Sequence, residues 1–467
     1  MTVRAEENFA HRFLFTAPWD PVVVRRGDAL GLRALADQFA DALAPGLSNR
    51  VTDGRWVTIL AWCLARSDEV FRASGGRAVE TRIQLGERYA WLRPLELMWV
   101  ARTISLAPEG GRDRALAGQR RVGPWCKDDK RSADRFGMSI DQFRAYRQTG
   151  MYGGYRVAFR EWPGMSLLGD GWRPGAGTIE LANWLDPKLG PARLPWKLHA
   201  GDGDKRGFPA PNKQSLGKED EWWLRQWKTF KKGNGSAEKN TLPRRRDEFE
   251  KLPEADLLRP LIFGDDRDGK RRLATASEVK NASADTHFEV CEHLGRVSAA
   301  DPRIALLPHF SRLADAGMAA MDLVAGSLQK ESHVELVKVA ALSKAGPVCT
   351  ELMEAAQEWR THAQIQLPHV DTAQRFANAI PSAKPIECLK ALLVHHERHG
   401  GGLRWFVLRD GRVEPRTPAR GGSSRYRFRL WSLCRLATQC GVLSDMPPAL
   451  LGDDEAKVDE TGEAADE

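Results

Sequence analysis

Residues 281–380 constrain the fold most. In "DPRIALLPHFSRLADAGMAAMDLVAGSLQ", Phe310, Leu313, Gly317, Met321 and Val324 recur every three or four positions. An α-helix turns once in about 3.6 residues, so this spacing makes one stripe along a helix. "VELVKVAALSKAGPVCTELMEAAQEW" repeats the pattern with Leu336, Val339 and Leu342, then Leu352 and Ala356. Successive helices with apolar stripes bury them against one another, which predicts a helical core.

The same reading extends along the chain. Asp28 is placed to cap a helix bearing Leu32, Leu35, Phe39 and Leu43, stopped by Pro45-Gly46. A second helix follows Thr52-Asp53 with Trp56, Leu60 and Leu64 inward, and a third covers Leu95–Ile104. Ser139 and Gln142 form a capping-box pattern for a helix with Ile140 and Phe143 inward, ended by Gly150. Tyr155–Trp162 reads as a short helix, Asp170-Gly171 as a hairpin turn, and Thr178–Leu185 as a helix capped by Thr178. Near the end, "PIECLKALLVHHERH" is helical and "LRWFVLRDGRVEPR" is a hairpin turning at Asp410-Gly411. The last helix is entered through Ser423-Ser424, and alternation in "RYRFRL" predicts an extended lead-in with Arg425, Arg427 and Arg429 on one edge.

These parts predict a mainly α, multi-domain helical protein with two winged-helix-like modules (helix-helix-hairpin-helix) joined by a basic irregular arm. The expected divisions are a helical domain at 1–110, a basic winged-helix-like module at 111–200 and the arm at 201–280. A helical domain at 281–380, a helix-hairpin-helix module at 381–443 and an acidic disordered tail at 444–467 follow. The arm is polar and punctuated by Gly and Pro, apart from "EWWLRQWKTF" with Trp222, Trp223 and Trp227. Those tryptophans either anchor a partner or fill a core; sixteen Trp against five Tyr is an unusual balance.

Seven scattered cysteines without a CxxC pair fit a reducing cytoplasm, and no apolar run is long enough to span a membrane. Few patterns carry chemistry. His396-Glu397-Arg398-His399 is one residue short of the HExxH zinc motif; His395, His399 and Cys388 lack a fourth ligand, and the histidines read as a polar helix end. Asp265, Asp266 and Asp268 resemble a calcium loop but lack its terminal glutamate, and Glu335-x-x-Lys338 lies in a helical stripe. There is no P-loop and no GxSxG. No catalytic residue, metal or cofactor is expected, although a divergent Mg²⁺-dependent nuclease is kept as an alternative.

Charge is the stronger signal. The net charge is +8, but the tail from Asp453 onward carries −7, leaving +15 on the remainder. Residues 112–160 hold twelve basic and five acidic side chains, and 384–435 hold twelve and four. Arg and Lys on rigid elements are what phosphate contact requires. The candidate nucleic-acid contacts are Arg120, Arg121, Lys130, Arg131, Arg135, Arg144, Arg147, Arg156, Arg425, Arg427 and Arg429. Tyr146, Tyr152 and Tyr155 among them either stack on bases or close a core.

The strings "LGLRALADQFADALAPGLSNRVTDGRWVTILAWCL", "QRRVGPW", "FGMSIDQFRAYRQTGMYGGYRVAF" and "GDGWRPG" cover roughly residues 28–190. Here the chain resembles a group of uncharacterised bacterial proteins associated with anti-phage defence islands and mobile elements. The resemblance implies a multi-gene system acting on foreign DNA and brings no catalytic residues. The expectation is a non-catalytic subunit that binds double-stranded DNA and other subunits of a complex. A scaffold that binds proteins instead of DNA is the alternative.

Overall fold

The computed structural model describes residues 28–73, 150–188, 241–328, 332–363, 367–400, 404–416 and 426–451, with single positions between 88 and 103. Helices α1 (Arg33–Leu43), α2 (Gly54–Ala73), α3 (Met151–Glu161) and α4 (Ala176–Leu185) come first. They are followed by α5 (Ala255–Ile262), α6 (Arg267–Asn281), α7 (His287–Val297), α8 (Pro302–Ala305) and α9 (Leu307–Ser327). Strand β1 (Val334–Glu335) leads into α10 (Leu336–Ala340), α11 (Ala345–His362), α12 (Val370–Ala379) and α13 (Pro385–His399). The hairpin β2 (Phe406–Arg409) and β3 (Arg412–Pro415) and helix α14 (Leu430–Gln439) close the series. The protein is mainly helical, as the stripes require, with one antiparallel sheet in the order β1-β3-β2 among the described residues.

Contacts divide the chain into two compact units. One is built from Arg50–Gly269 and Thr438–Val442, the other from Val24–Asn49, Lys270–Ala437 and the residues from Leu443 onward. In the first unit α2 packs on α3 and α4, and α4 on α5. Helix α2 is buried along almost its whole length and carries charges inside. Arg55 forks onto Glu254, its Nη2 donating to Oε2 at 2.9 Å, and both residues are about 1% exposed. Paired geometry of this kind keeps buried charge tolerable. Asp53 at the head of α2 accepts from the backbone N–H of Arg55 (2.9 Å) and Arg244 (2.8 Å) and from Gln439 Nε2 (3.3 Å). The Tyr155 hydroxyl accepts from the Asp53 N–H at 3.1 Å.

In the second unit α9 packs along α11, α7 and α13, and α11 against α12. Phe310, Leu313, Met321 and Val324 are buried, as their stripe predicts, with Trp359 of α11 at 6.1 Å from Phe310. Helix ends are closed by side chains. Asp28 accepts from the N–H groups of Leu32 and Arg33 at 3.0 Å each and from the Tyr426 hydroxyl at 2.9 Å. Arg272 donates to the Pro45 carbonyl at 2.7 Å and Thr275 to the Leu43 carbonyl at 2.8 Å, which satisfies orphan acceptors past the end of α1. Thr286 and Glu289 form a capping box on α7.

Several expectations change. The arm expected to stay irregular through residue 280 holds two helices, α5 and α6, because Ala255, Leu258 and Ile262 supply a buried stripe. Asp266 is the reason α6 starts where it does: it accepts from the N–H groups of Asp268 and Gly269 at 3.0 Å each. Gly150 stands as the N-cap of α3, which starts at Met151 and not at Tyr155. Helix α4 begins from Gly175, and Thr178 donates instead to the Met165 carbonyl. The Asp170-Gly171 turn closes a loop with a single bridge, Ser166 to Pro174, rather than a ladder. Val334-Glu335, read as helix, is a strand. The last helix begins at Leu430, and its lead-in is not extended: Phe428 and Arg429 have φ of 53° and 61°. Phe428 is held there by packing against Phe39 and Phe310, with ring centroids 6.1 and 6.0 Å apart. Among the described residues the tryptophans go largely inward, since Trp56, Trp62, Trp162, Trp172, Trp359 and Trp431 are all buried.

Candidate nucleic-acid interface

The hairpin of the second unit presents arginine. Leu408 pairs with Val413 and Arg409 with Arg412 across a two-residue turn in which Asp410 and Gly411 have φ of 48° and 77°. Both central residues are left-handed, the conformation that matches the twist of a tight hairpin and that glycine favours. Phe406, Val407 and Val413 are buried, which anchors the hairpin, while Arg404, Arg409, Arg412 and Arg416 are exposed. Strand β1 adds on the other side of β3 through Val334–Val413 and Glu335–Arg412. Arg409 reaches Glu414 only at 4.0 Å.

Helix α13 packs against β2 and supplies the second part. Its positions 387, 390, 391, 394, 395, 398 and 399 fall on one stripe, and with Arg375, Asn378 and Ala379 of α12 they line an open cleft of about 630 Å³. Lys390, Arg398 and Arg375 are exposed at its rim. Among the described residues no acid pairs with these three cations; Glu387 in the cleft turns to Lys384 at 3.5 Å.

The histidines at the end of α13 are not a solvated helix end. His395 and His396 are 4% and 1% exposed. His395 Nε2–H donates to the Leu30 carbonyl at 3.0 Å, and His396 Nδ1–H donates to the Ala29 carbonyl at 2.7 Å. His396 Nε2 accepts from the Trp405 N–H at 3.0 Å, which fixes a neutral tautomer. Burial lowers the pKa of His395 to about 4 and also lowers that of His396. His399 is exposed, its ring 4.8 Å from that of His395.

Of the proposed contacts, Arg120, Arg121, Lys130, Arg131, Arg135, Arg144, Arg147 and Arg425 lie outside the described residues, as do the Trp-rich helix and the tail from 452 onward. The stretch 444–451, expected as part of a disordered tail, is folded, because Met446, Ala449 and Leu450 are buried and Pro448–Leu450 forms a short 3-10 turn. Arg156 sits in α3 of the first unit, half-buried, on the same stripe as the buried Tyr152, Tyr155 and Phe159. Tyr152 and Tyr155 close a core: the Tyr152 ring lies tilted against that of Trp172, centroids 4.5 Å apart. Arg427 and Arg429 belong to the second unit and are half-buried. Arg429 pairs with Asp41 of α1, with Asp37 at 4.0 Å. The fold thus gathers other cations on α12, α13 and the hairpin. The charge balance of 384–435 marked this stretch, but helical spacing in "LKALLVHHERH" would have been needed to group Lys390 with Arg398.

Two further clusters escaped sequence reading. His309 of α9 and Glu358 of α11 meet at 2.5 Å, Arg312 reaches Glu358 at 2.6 Å and Glu351 at 2.8 Å, and the His362 ring stacks on His309 at 4.0 Å. Partial burial alone would raise Glu358, but its bonds to His309 and Arg312 hold it below the usual carboxylate range. Cys349 (α11) and Cys388 (α13) are both buried; the Cys349 thiol reaches the Pro385 carbonyl at 4.0 Å, and the neighbouring Cys349 together with burial pushes the Cys388 thiol well up. Among the described residues no three His, Cys, Asp or Glu side chains are arranged to hold a metal ion, and no helix is long and apolar enough to cross a membrane. Searches of protein-family models, curated proteins and solved structures return no match to this chain.

Proposed function

We propose that this chain is a non-catalytic DNA-binding subunit of a bacterial multi-protein anti-phage defence system. The observation that carries the reading is the pairing of an arginine hairpin, Arg409 and Arg412 beside its turn, with a helix whose Lys390 and Arg398 have no acidic partner among the described residues. Phosphate contact is made by such donors on rigid elements, and each contact releases condensed counterions. The order helix, strand, helices, hairpin with sheet order β1-β3-β2 supports a winged-helix-like use, the hairpin as wing. The defence context rests on the resemblance of residues 28–190. The experiment is binding of the full chain to duplex DNA across a salt titration. The reading expects binding at about 50 mM salt that weakens steeply as salt rises, and absence of binding there defeats it.

A scaffold role has its own support. Val337, Leu342 and Ile386 are 67%, 44% and 38% exposed, apolar side chains suited to a partner protein. A chain that fails to bind DNA would favour it.

A further inference from the structure

We infer that the cleft between α12 and α13 binds an unstacked nucleotide by its phosphate, as a free nucleotide or as the 5′-phosphorylated end of a strand. Its floor is made by Ala379, Ala391 and Val394, half-buried and too short to fill the space between the two helices. The volume of about 630 Å³ lies within the roughly 300–1,000 Å³ typical of small-molecule sites. A lone phosphate would leave most of that space empty, so the occupant brings a body as well as a charge.

The rim specifies that charge. Arg375, Lys390 and Arg398 surround the floor and make no ion pair among the described residues, and Asn378 adds an amide. Lys390 and Arg398 are eight residues apart on α13, or roughly 12 Å along a helix. Cations spaced along an apolar floor match a nucleotide, with a ring over the floor and phosphate at the rim; Glu387 also lines the cleft and is drawn to Lys384 at 3.5 Å. The imidazole of His395 holds its Nε2–H on the Leu30 carbonyl, so it offers the cleft a neutral ring and no charge. The flank of a duplex is a poor occupant: its bases are stacked inside and cannot reach the floor. A free nucleotide or a strand end is already unstacked.

The strand-end form rests on the DNA-binding reading; the free-nucleotide form does not. Both are tested on the full chain. Single-stranded oligonucleotides with a 5′-phosphate or a 5′-hydroxyl, AMP, inorganic phosphate and closed circular DNA are titrated against wild type and Ala391→Trp. That substitution fills the cleft and leaves every charge in place, and a second variant, Lys390→Glu with Arg398→Glu, reverses the rim. Circular dichroism checks that each variant keeps its helix content.

The inference expects wild type to bind AMP more tightly than inorganic phosphate, or the 5′-phosphate strand about tenfold more tightly than the 5′-hydroxyl strand, the worth of one charge-assisted contact. Both substitutions should abolish that preference while helix content is kept. AMP binding lost in Ala391→Trp, without any DNA binding, supports the free-nucleotide form and defeats the DNA-binding reading. Equal binding of the two strands together with no AMP binding overturns the inference, even where circular DNA binds. So does a preference that survives in both variants, or one for inorganic phosphate alone.

Discussion

His396 donates from Nδ1 to the carbonyl of Ala29 at 2.7 Å while its Nε2 accepts from the backbone of Trp405 at 3.0 Å. One imidazole thereby ties the segment ahead of α1 to α13 and to the start of the hairpin, within a single unit. The neighbouring His395 repeats the bond on the neighbouring carbonyl, Leu30, at 3.0 Å. Replacing His396 by Phe keeps the volume but leaves the Ala29 carbonyl and the Trp405 N–H without this partner. The expected loss is about 2–4 kcal/mol in urea unfolding, since an unsatisfied buried group costs about 1–3 kcal/mol.

The same pair sets a pH dependence. In the unfolded chain both imidazoles titrate near about 6.5, whereas in the folded protein His395 gains its proton only near about 4. Between these values the unfolded state binds more protons, so stability decreases as the pH is lowered. The contribution is fully present above about pH 6.5 and is lost by about pH 4. Urea midpoints measured from pH 7.5 down to 4.5 should decrease, and His395→Gln should flatten the curve below about pH 6.5.

The buried pair in the first unit behaves differently when one partner is lost than when both are. Glu254→Ala strands the Arg55 guanidinium inside α2 and should cost about 3–5 kcal/mol. Replacing both residues by Leu removes the stranded charge and should cost clearly less. Chemical denaturation of the two variants measures the difference, and equal losses would show that the pair is solvated after all.

Two glycines with the same backbone need have different surroundings. Gly31 and Gly411 have φ of +70° and +77°. A Cβ on Gly31 would lie 2.6 Å from the His399 carbonyl oxygen, whereas one on Gly411 would meet nothing within 4 Å. Gly411→Ala should therefore cost only the left-handed penalty of about 1–2 kcal/mol, and Gly31→Ala clearly more, when the two variants are compared by urea unfolding.

Much of the helical layout was legible in the sequence because helix stripes and turn chemistry are local. Phe310, Leu313, Met321 and Val324 predicted α9 and Asp410-Gly411 predicted the hairpin turn, whereas α1 starts only at Arg33 with Leu32 at its N-cap, and Asp28 accepts from the N–H groups of both. What depends on distant partners was not legible. The α5 stripe is short and interrupted by Pro260, so its helix was read as arm. Strand β1 is only two residues long and exists because β3 pairs with it. The left-handed turn at Phe428-Arg429 follows from where Phe39 and Phe310 place the ring, which alternation in "RYRFRL" cannot encode. The histidines of α13 looked like a solvated helix end because Ala29 and Leu30, their acceptors, lie about 365 residues away. For the candidate interface, the charge of residues 384–435 was visible, but the choice among its cations needed α12, which lies outside that stretch.

The account depends most on the hairpin and α13 meeting phosphate. The direct measurement is the slope of log binding constant against log salt for duplex DNA, compared between wild type and the Arg409→Ser, Arg412→Ser double variant. Both side chains are exposed beside the turn, so the fold should be kept. The account predicts weaker binding at every sequence and a slope shallower by about two, one for each lost phosphate contact. An unchanged slope and affinity in the folded double variant would contradict it.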